Sequence, residues 1–173
     1  MTYTVKGLEI LSVMSYYRYL STLPVTTVSE EGRSMFKRIL VPVDLSKKNR
    51  KSLDIAVNIA LHGDARLYLF HVIETIADTG YSEFKDFYSK LEKRAQKHMD
   101  VLATQYRNRA AEIECKVVLG NRVEEILKFA VRNKVDLIVM HSHRVNLKRP
   151  GEGWGTISYK VGILSQCPVM LVK

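Results

Sequence analysis

From Phe36 onward the chain alternates two kinds of hydrophobic pattern. Short unbroken apolar runs stand between longer stretches in which apolar residues return every three or four positions. The first run, "RILVPV" (38–43), has the length and continuity of a strand covered on both faces. "SKKNRKSLDIAVNIALHG" (46–63) predicts a helix. Ser46 is placed to cap it, Leu53, Ala56, Val57, Ala60 and Leu61 share a face, and Gly63 supplies the stop. "ARLYLFHVI" (65–73) predicts a second strand. A long helix is expected from about Ser82 to Arg109, where Phe84, Tyr88, Leu91, Ala95, Met99, Leu102 and Tyr106 recur at helical steps. Such a stripe serves core packing rather than a cofactor. "EIECKVVLG" (112–120) alternates as a third strand. "NRVEEILKFAVRN" (121–133) is a helix capped by Asn121, with Val123, Ile126, Leu127 and Ala130 inward. "DLIVMH" (136–141), "TISYKVGILSQ" (156–166) and "PVMLVK" (168–173) complete the pattern as strand, short helix and strand.

Strands alternating with helices predict an α/β fold, a parallel sheet with helices on both faces. Right-handed crossovers restrict its topology. Ligands of such sheets bind beyond the carboxyl ends of the strands, where strand order reverses. Those ends are Pro42, Val43 and Asp44, then His71–Ile73 with Val72 at its middle, then Leu119 and Gly120, then Met140 and His141. The functional residues are sought there.

The 173 residues suit one domain with an appendage. Residues 1–34 carry Lys6, Arg18 and Arg33 against Glu9, Glu30 and Glu31, so the formal net charge of +9 belongs to residues 36–173. That excess attracts polyanions without choosing among them. Glu9 and Arg18 interrupt the apolar character of the first segment, and it lacks the form of a signal peptide. Met35 stands directly before "FKRILVPVD" and is the expected natural start, with a partner-docking extension as the competing reading of residues 1–34. No run of eighteen apolar residues is present, so no membrane span is expected. Cys115 and Cys167, neither in a C-x-x-C pair, are expected to be buried and reduced in a cytoplasmic protein.

"FKRILVPVDLSKKNRKSLDIAVNIA", "VVLGNRVEEILKFAVRNKVDLIVMHSH" and "GTISYKVGILSQCPVMLVK" together resemble the universal stress protein family over residues 36–173. The shared features are an aspartate after the first strand, a glycine closing the third, Gly-Ser/Thr before the last helix and Cys-Pro-Val before the final strand. The resemblance implies a five-stranded sheet of order 3-2-1-4-5, of the adenine nucleotide alpha hydrolase-like kind, and homodimers formed through the last strand. It also implies ATP binding, with accompanying Mg²⁺, through a loop G-x2-G-x9-G-(S/T). Glycines there let backbone amides approach phosphates, and the hydroxyl adds a donor at a helix N-terminus. Gly155-Thr156 matches the end of that motif, whereas His141 and Arg144 occupy its two earlier glycine positions. Ten residues, one more than in the motif, separate Arg144 from Gly155. Gly151 and Gly153 restore backbone freedom late in the loop, and Arg144, Lys148 and Arg149 could substitute charge for amide contacts.

Each candidate also has a plainer role. Asp44 either accepts hydrogen bonds from a base or ribose or caps the next helix together with Ser46. Gly120 permits a positive φ or a close approach that serves the fold with or without ligand. His141 and His143, two apart, point to one side if extended. They could share a metal, but no third ligand is evident and a solvated or hydrogen-bonded pair is the expectation. His71 is expected to be a partly buried structural histidine, and Trp154 a loop anchor. No Ser/His/Asp arrangement, catalytic carboxylate pair or Walker loop is legible. The leading reading is a nucleotide-responsive homodimeric regulator in stress response. The alternatives are an interaction module without nucleotide, binding an unidentified protein partner, and a slow nucleotide hydrolase. No nucleic-acid motif accompanies the basic charge.

Overall fold

A computed structural model describes residues 35–75, 84–108, 112–143 and 155–173. Five strands alternate with four helices: β1 (Arg38–Pro42), α1 (Arg50–Gly63), β2 (Arg66–Glu74), α2 (Lys85–Tyr106), β3 (Glu112–Gly120), α3 (Arg122–Arg132), β4 (Leu137–His141), α4 (Ile157–Leu164) and β5 (Val169–Val172). The sheet runs β3-β2-β1-β4-β5, and every pairing is parallel.

Alternation along the strands divides the core into two layers. Ile39, Val41, Leu67, Leu69, Leu137 and Val139 face α1 and α2, meeting Ala56, Val57 and Met99. Their neighbours Leu40, Tyr68, Phe70, Ile138 and Met140 face α3 and α4, meeting Ile126, Ala130 and Val161. Both faces being covered explains why the central strands read as unbroken apolar runs. Each fully buried Leu, Ile or Val contributes about 1.5–3 kcal/mol. Phe129 of α3 adds aromatic contacts to Tyr68 and Phe70, with ring centroids 5.3 and 4.5 Å apart. The Asp136 carboxylate accepts the Lys37 and Arg38 backbone N–H groups at 2.7 and 3.0 Å, fastening the start of β4 to the start of β1.

Four expectations need correction. Ser46 does not cap α1; it accepts the Lys48 N–H and caps a 3-10 turn at Lys47–Asn49, after which α1 begins. Leu61 is 46% exposed, because its position on the helical wheel is about 80° from Leu53, at the margin of the buried arc. Phe84 is 38% exposed because it precedes α2 at φ −116°, ψ 16° and is not carried on the helical stripe. Cys115 and Cys167 are half-buried rather than buried. Burial still pushes the Cys115 thiol up, with Asp100 adding to the effect. The assignments to residues 1–34 and the expected ends of α2 at Ser82 and Arg109 lie outside the described residues. Among the described residues no helix is long and apolar enough to cross a membrane.

Candidate functional site

The sheet opens where β1 parts from β4. With β2, β1 keeps register from Arg38↔Arg66 to Pro42↔Phe70, and the Val43 N–H extends the pairing to Phe70 O at 2.9 Å. With β4 it is in register only at Ile39↔Leu137 and Leu40↔Ile138. Successive strand residues present their N–H groups to opposite neighbours. Val43 turns to β2, so Pro42 stands toward β4 with no N–H to give. The ladder ends there, and a crevice forms at the point where strand order reverses.

This crevice is a cleft of about 440 Å³, within the range of small-ligand sites. Eight expected residues line it: Pro42, Val43, Asp44, Val72, Met140, His141, Gly155 and Thr156. Gly120 does not line it. Its φ is +144°, and a Cβ there would stand 2.8 Å from Glu125 Cγ, so this glycine shapes the turn from β3 into α3. Arg144, Lys148, Arg149, Gly151, Gly153 and Trp154 lie outside the described residues. A larger groove of about 560 Å³ lies at the opposite rim, between the last turns of α3 and α4, and receives none of the strand carboxyl ends.

Asp44 is tied into its own turn. Its Oδ1 accepts the Ser46 N–H at 2.9 Å and the Asn49 side-chain amide. Burial disfavours the carboxylate, but the hydrogen bonds from Ser46 and Asn49 outweigh it and hold the group below the usual carboxylate range. Leu45, between Asp44 and Ser46, is left-handed at φ 62°, a conformation costing a non-glycine residue about 1–3 kcal/mol. The same turn buries Asn49 beside the cleft. Asp44 thus organises its own turn and lines the cleft; it does not cap α1, whose N-cap residue is Asn49.

His71 is half-buried, as expected, and also lines the cleft. Its Nδ1 is 2.8 Å from Val43 O; a carbonyl only accepts, so Nδ1 donates. His141 and His143 both line the cleft, with ring centroids 5.9 Å apart. Among the described residues no group of three His, Cys, Asp or Glu side chains is placed to hold a metal.

Thr156 caps α4. Its Oγ1 accepts the Tyr159 N–H at 3.3 Å, which sets the positive end of that helix dipole at the cleft. Ser158 Oγ lies 3.3 Å from Thr156 Oγ1 and 3.1 Å from Ser142 Oγ. Ser142 Oγ in turn receives the Lys173 ammonium at 3.0 Å.

The sequence reading passed over Asn49, Phe70, Arg122, Ile126, Ile157 and Ser158, all of which line the cleft. Arg122 arrives through the Gly120 turn and pairs with Glu74 at 3.3 Å. Two signals were available: Arg122 and Ser158 each stand two residues beyond an expected site residue. Phe70 and Ile126 looked like core, and are core; the cleft floor is the exposed end of the same packing.

A model of the universal stress protein family matches residues 35–173. Universal stress protein MJ0531 of Methanocaldococcus jannaschii is 25% identical over 175 residues, covering 97% of this chain and 96% of the relative. Universal stress protein YxiE of Bacillus subtilis is 29% identical over 150 residues, covering 80% and 100%. The solved structure of the hypothetical protein MJ0577 superposes with a TM-score of 0.69 at 29% identity, over 80% of this chain and 96% of that one. Two further universal stress proteins share the fold. One is in complex with cAMP (TM-score 0.56, 21% identity, 80% of this chain and 98% of that one). The other, from Archaeoglobus fulgidus, is in complex with dAMP (TM-score 0.58, 18% identity, 80% and 99%). With the strand order, the crevice at its reversal and a family match that spans all of the fold, the chain belongs to the universal stress protein family.

Proposed function

We propose that the chain is a small regulator whose rim cleft binds an adenine nucleotide, ATP being the first candidate. The observation that carries this reading is convergence. Residues drawn from β1, β2, β4 and the start of α4 meet in one cleft of nucleoside size, with an ionised carboxylate on one side and a helix N-terminus on the other. The cAMP and dAMP complexes of two family members support the ligand class.

In this reading Val72 and Met140 pack on the base, and Asp44 accepts from the ribose hydroxyls. Thr156 and the first amides of α4 meet a phosphate, with Mg²⁺ arriving as the counter-ion of ATP. His141 stands where a glycine would leave the backbone bare, so the ligand rests on an imidazole there instead of on amides. No residue is assigned as a catalytic base, and a slow hydrolase remains the lesser reading. Two free cysteines accord with a cytoplasmic setting.

The test is to denature the purified protein and assay the supernatant for adenine nucleotide, then to follow the melting temperature with added ATP. A ligand at a hundred times its Kd stabilises by about 2.7 kcal/mol. Asp44→Ala should abolish the rise. Neither released nucleotide nor any ATP-dependent shift at millimolar concentration would defeat the proposal.

A second reading concerns assembly. β5 is an edge strand, and Met170 and Leu171 are each 37% exposed on it. An edge with apolar side chains and unpaired backbone groups is a template for another strand. We propose that two copies pair through β5, a function that needs no nucleotide. A different protein could engage the same edge.

A further inference from the structure

A second hollow, of about 460 Å³, opens beside the cleft, between the end of β2 and α2. Alternation along β2 separates the two. Val72 packs in the layer of α3, whereas Ile73 packs with Tyr88 and Ala95 of α2. The β1–α1 turn divides in the same way: Asp44 lines the cleft, and Leu45, left-handed at φ 62°, lines the hollow. His71, Val72 and Arg122 form the wall that both share.

The hollow has an apolar floor and a basic rim. Leu45 and Leu91, both half-buried, pack against the cluster that holds Ile73. Arg94 and His98 stand one turn apart on α2, and Arg122 is the first residue of α3. A charge on a helix is neutralised by residues three or four positions away. For Arg94 those are Lys90, Leu91, Lys97 and His98; for His98 they are Arg94, Ala95, Val101 and Leu102, and none is acidic. Among the described residues Glu74 is the one acid in the lining, and it meets Arg122 Nε at 3.3 Å. A guanidinium has further N–H donors on its amino groups, so Arg122 can hold Glu74 and still face an anion. Positive charge is thus in excess over an apolar floor, in a volume within the range of small-ligand sites.

We propose that this hollow is a second ligand site, which takes a small organic anion. The oxyanion head meets Arg94, His98 and Arg122, and the apolar body lies on Leu45, Leu91 and Ile73. The inference does not rest on the nucleotide reading, because neither Arg94 nor His98 lines the cleft. The shared wall places the two ligands side by side at one rim.

The histidines provide the test, by NMR of the imidazoles in the full chain. His98 lines only the hollow, His71 lines both pockets, and His141 and His143 line only the cleft. His62, in the last turn of α1 and bonded to Asn58 O, lines neither and serves as the control. The probe is phenyl phosphate, which joins an apolar ring to an oxyanion, titrated at constant pH and ionic strength. It should shift His98 and His71 saturably and leave His62 in place. Phenol lacks the charge and inorganic phosphate lacks the ring, so each should bind at least about tenfold more weakly. Arg94→Met should raise the midpoint of the His98 response about fivefold, the scale of one solvent-facing ion pair, with the His141 and His143 responses as in the parent. A His98 signal that does not saturate, or that moves as readily with inorganic phosphate as with phenyl phosphate, overturns the inference. So does a probe that moves only His141 and His143, since it then occupies the cleft. Arg94 is exposed on α2, and should its variant still fail to fold, the three-probe comparison at His98 of the parent chain decides alone.

Discussion

Asp44 contributes to stability only while it is ionised. Its folded pKa lies below the ordinary 3.8, so its contribution is complete above that value and is lost as pH falls through the depressed one. The stability gap between the parent and Asp44→Asn should therefore be constant from neutral pH down to about 5 and close in more acid solution. Denaturant titrations at a series of pH values would show this; curves that stay parallel into acid would contradict the role. Gly120 is the second position where one residue decides local geometry. Gly120→Ala should cost about 1–3 kcal/mol, part from the positive φ and part from the 2.8 Å approach to Glu125 Cγ. Adding Glu125→Ala should recover only the contact part, as judged by the denaturant midpoint. The aspartate and the glycine were both singled out from sequence because each closes a strand. The left-handed Leu45 was not, because a leucine carries no signal for positive φ.

At the scale of elements, α3 is the helix whose reading held most fully. Asn121 accepts the Val123 and Glu124 N–H groups at 3.1 and 3.2 Å, and Glu124 and Glu125 stand in the first turn with Arg132 in the last. Asn121→Ala should cost about 1 kcal/mol and Asn121→Asp nearly nothing, measured as a shift in chemical denaturation. α1 shows where such reading stops. Its apolar period was correct through Ala60, but its start depends on the Asp44–Leu45 turn, which inserts a 3-10 segment before the first helical residue. Asp136 was likewise invisible. It lies outside any hydrophobic period, yet its carboxylate receives two backbone N–H groups from a segment 98 and 99 residues away. Asp136→Ala should lower stability by about 1–3 kcal/mol, and Asp136→Asn by less, since one acceptor oxygen remains.

For the whole molecule the proposed pairing of two copies turns on the edge of β5. If two copies pair there, Leu171→Lys, which sets like charges along the new seam, should shift sedimentation from dimer to monomer without lowering the melting temperature of the separate chain at high dilution. A parent chain that sediments as a monomer at high concentration would end the β5 proposal. The alternation of strand and helix could be read from the chain by itself, and with it the parallel sheet and the rim where a site belongs. The order β3-β2-β1-β4-β5 could not; it was expected from likeness to a family, because hydrophobic period is silent on which strands become neighbours. Of the cleft-lining residues that went unread, Asn49 and Arg122 lie on a turn and a helix start whose direction no local pattern sets.

Local physics explains this division. The spacing of apolar side chains determines the type and the buried face of each element, since a strand or helix must hide its own stripe wherever it lies. The tertiary structure decided that β1 and β4 diverge at Pro42, that Gly120 turns away from the cleft, and that Lys173 reaches Ser142 across 31 residues of chain. Those contacts join the ends of different elements, and their positions exist only once the sheet has brought them to one rim.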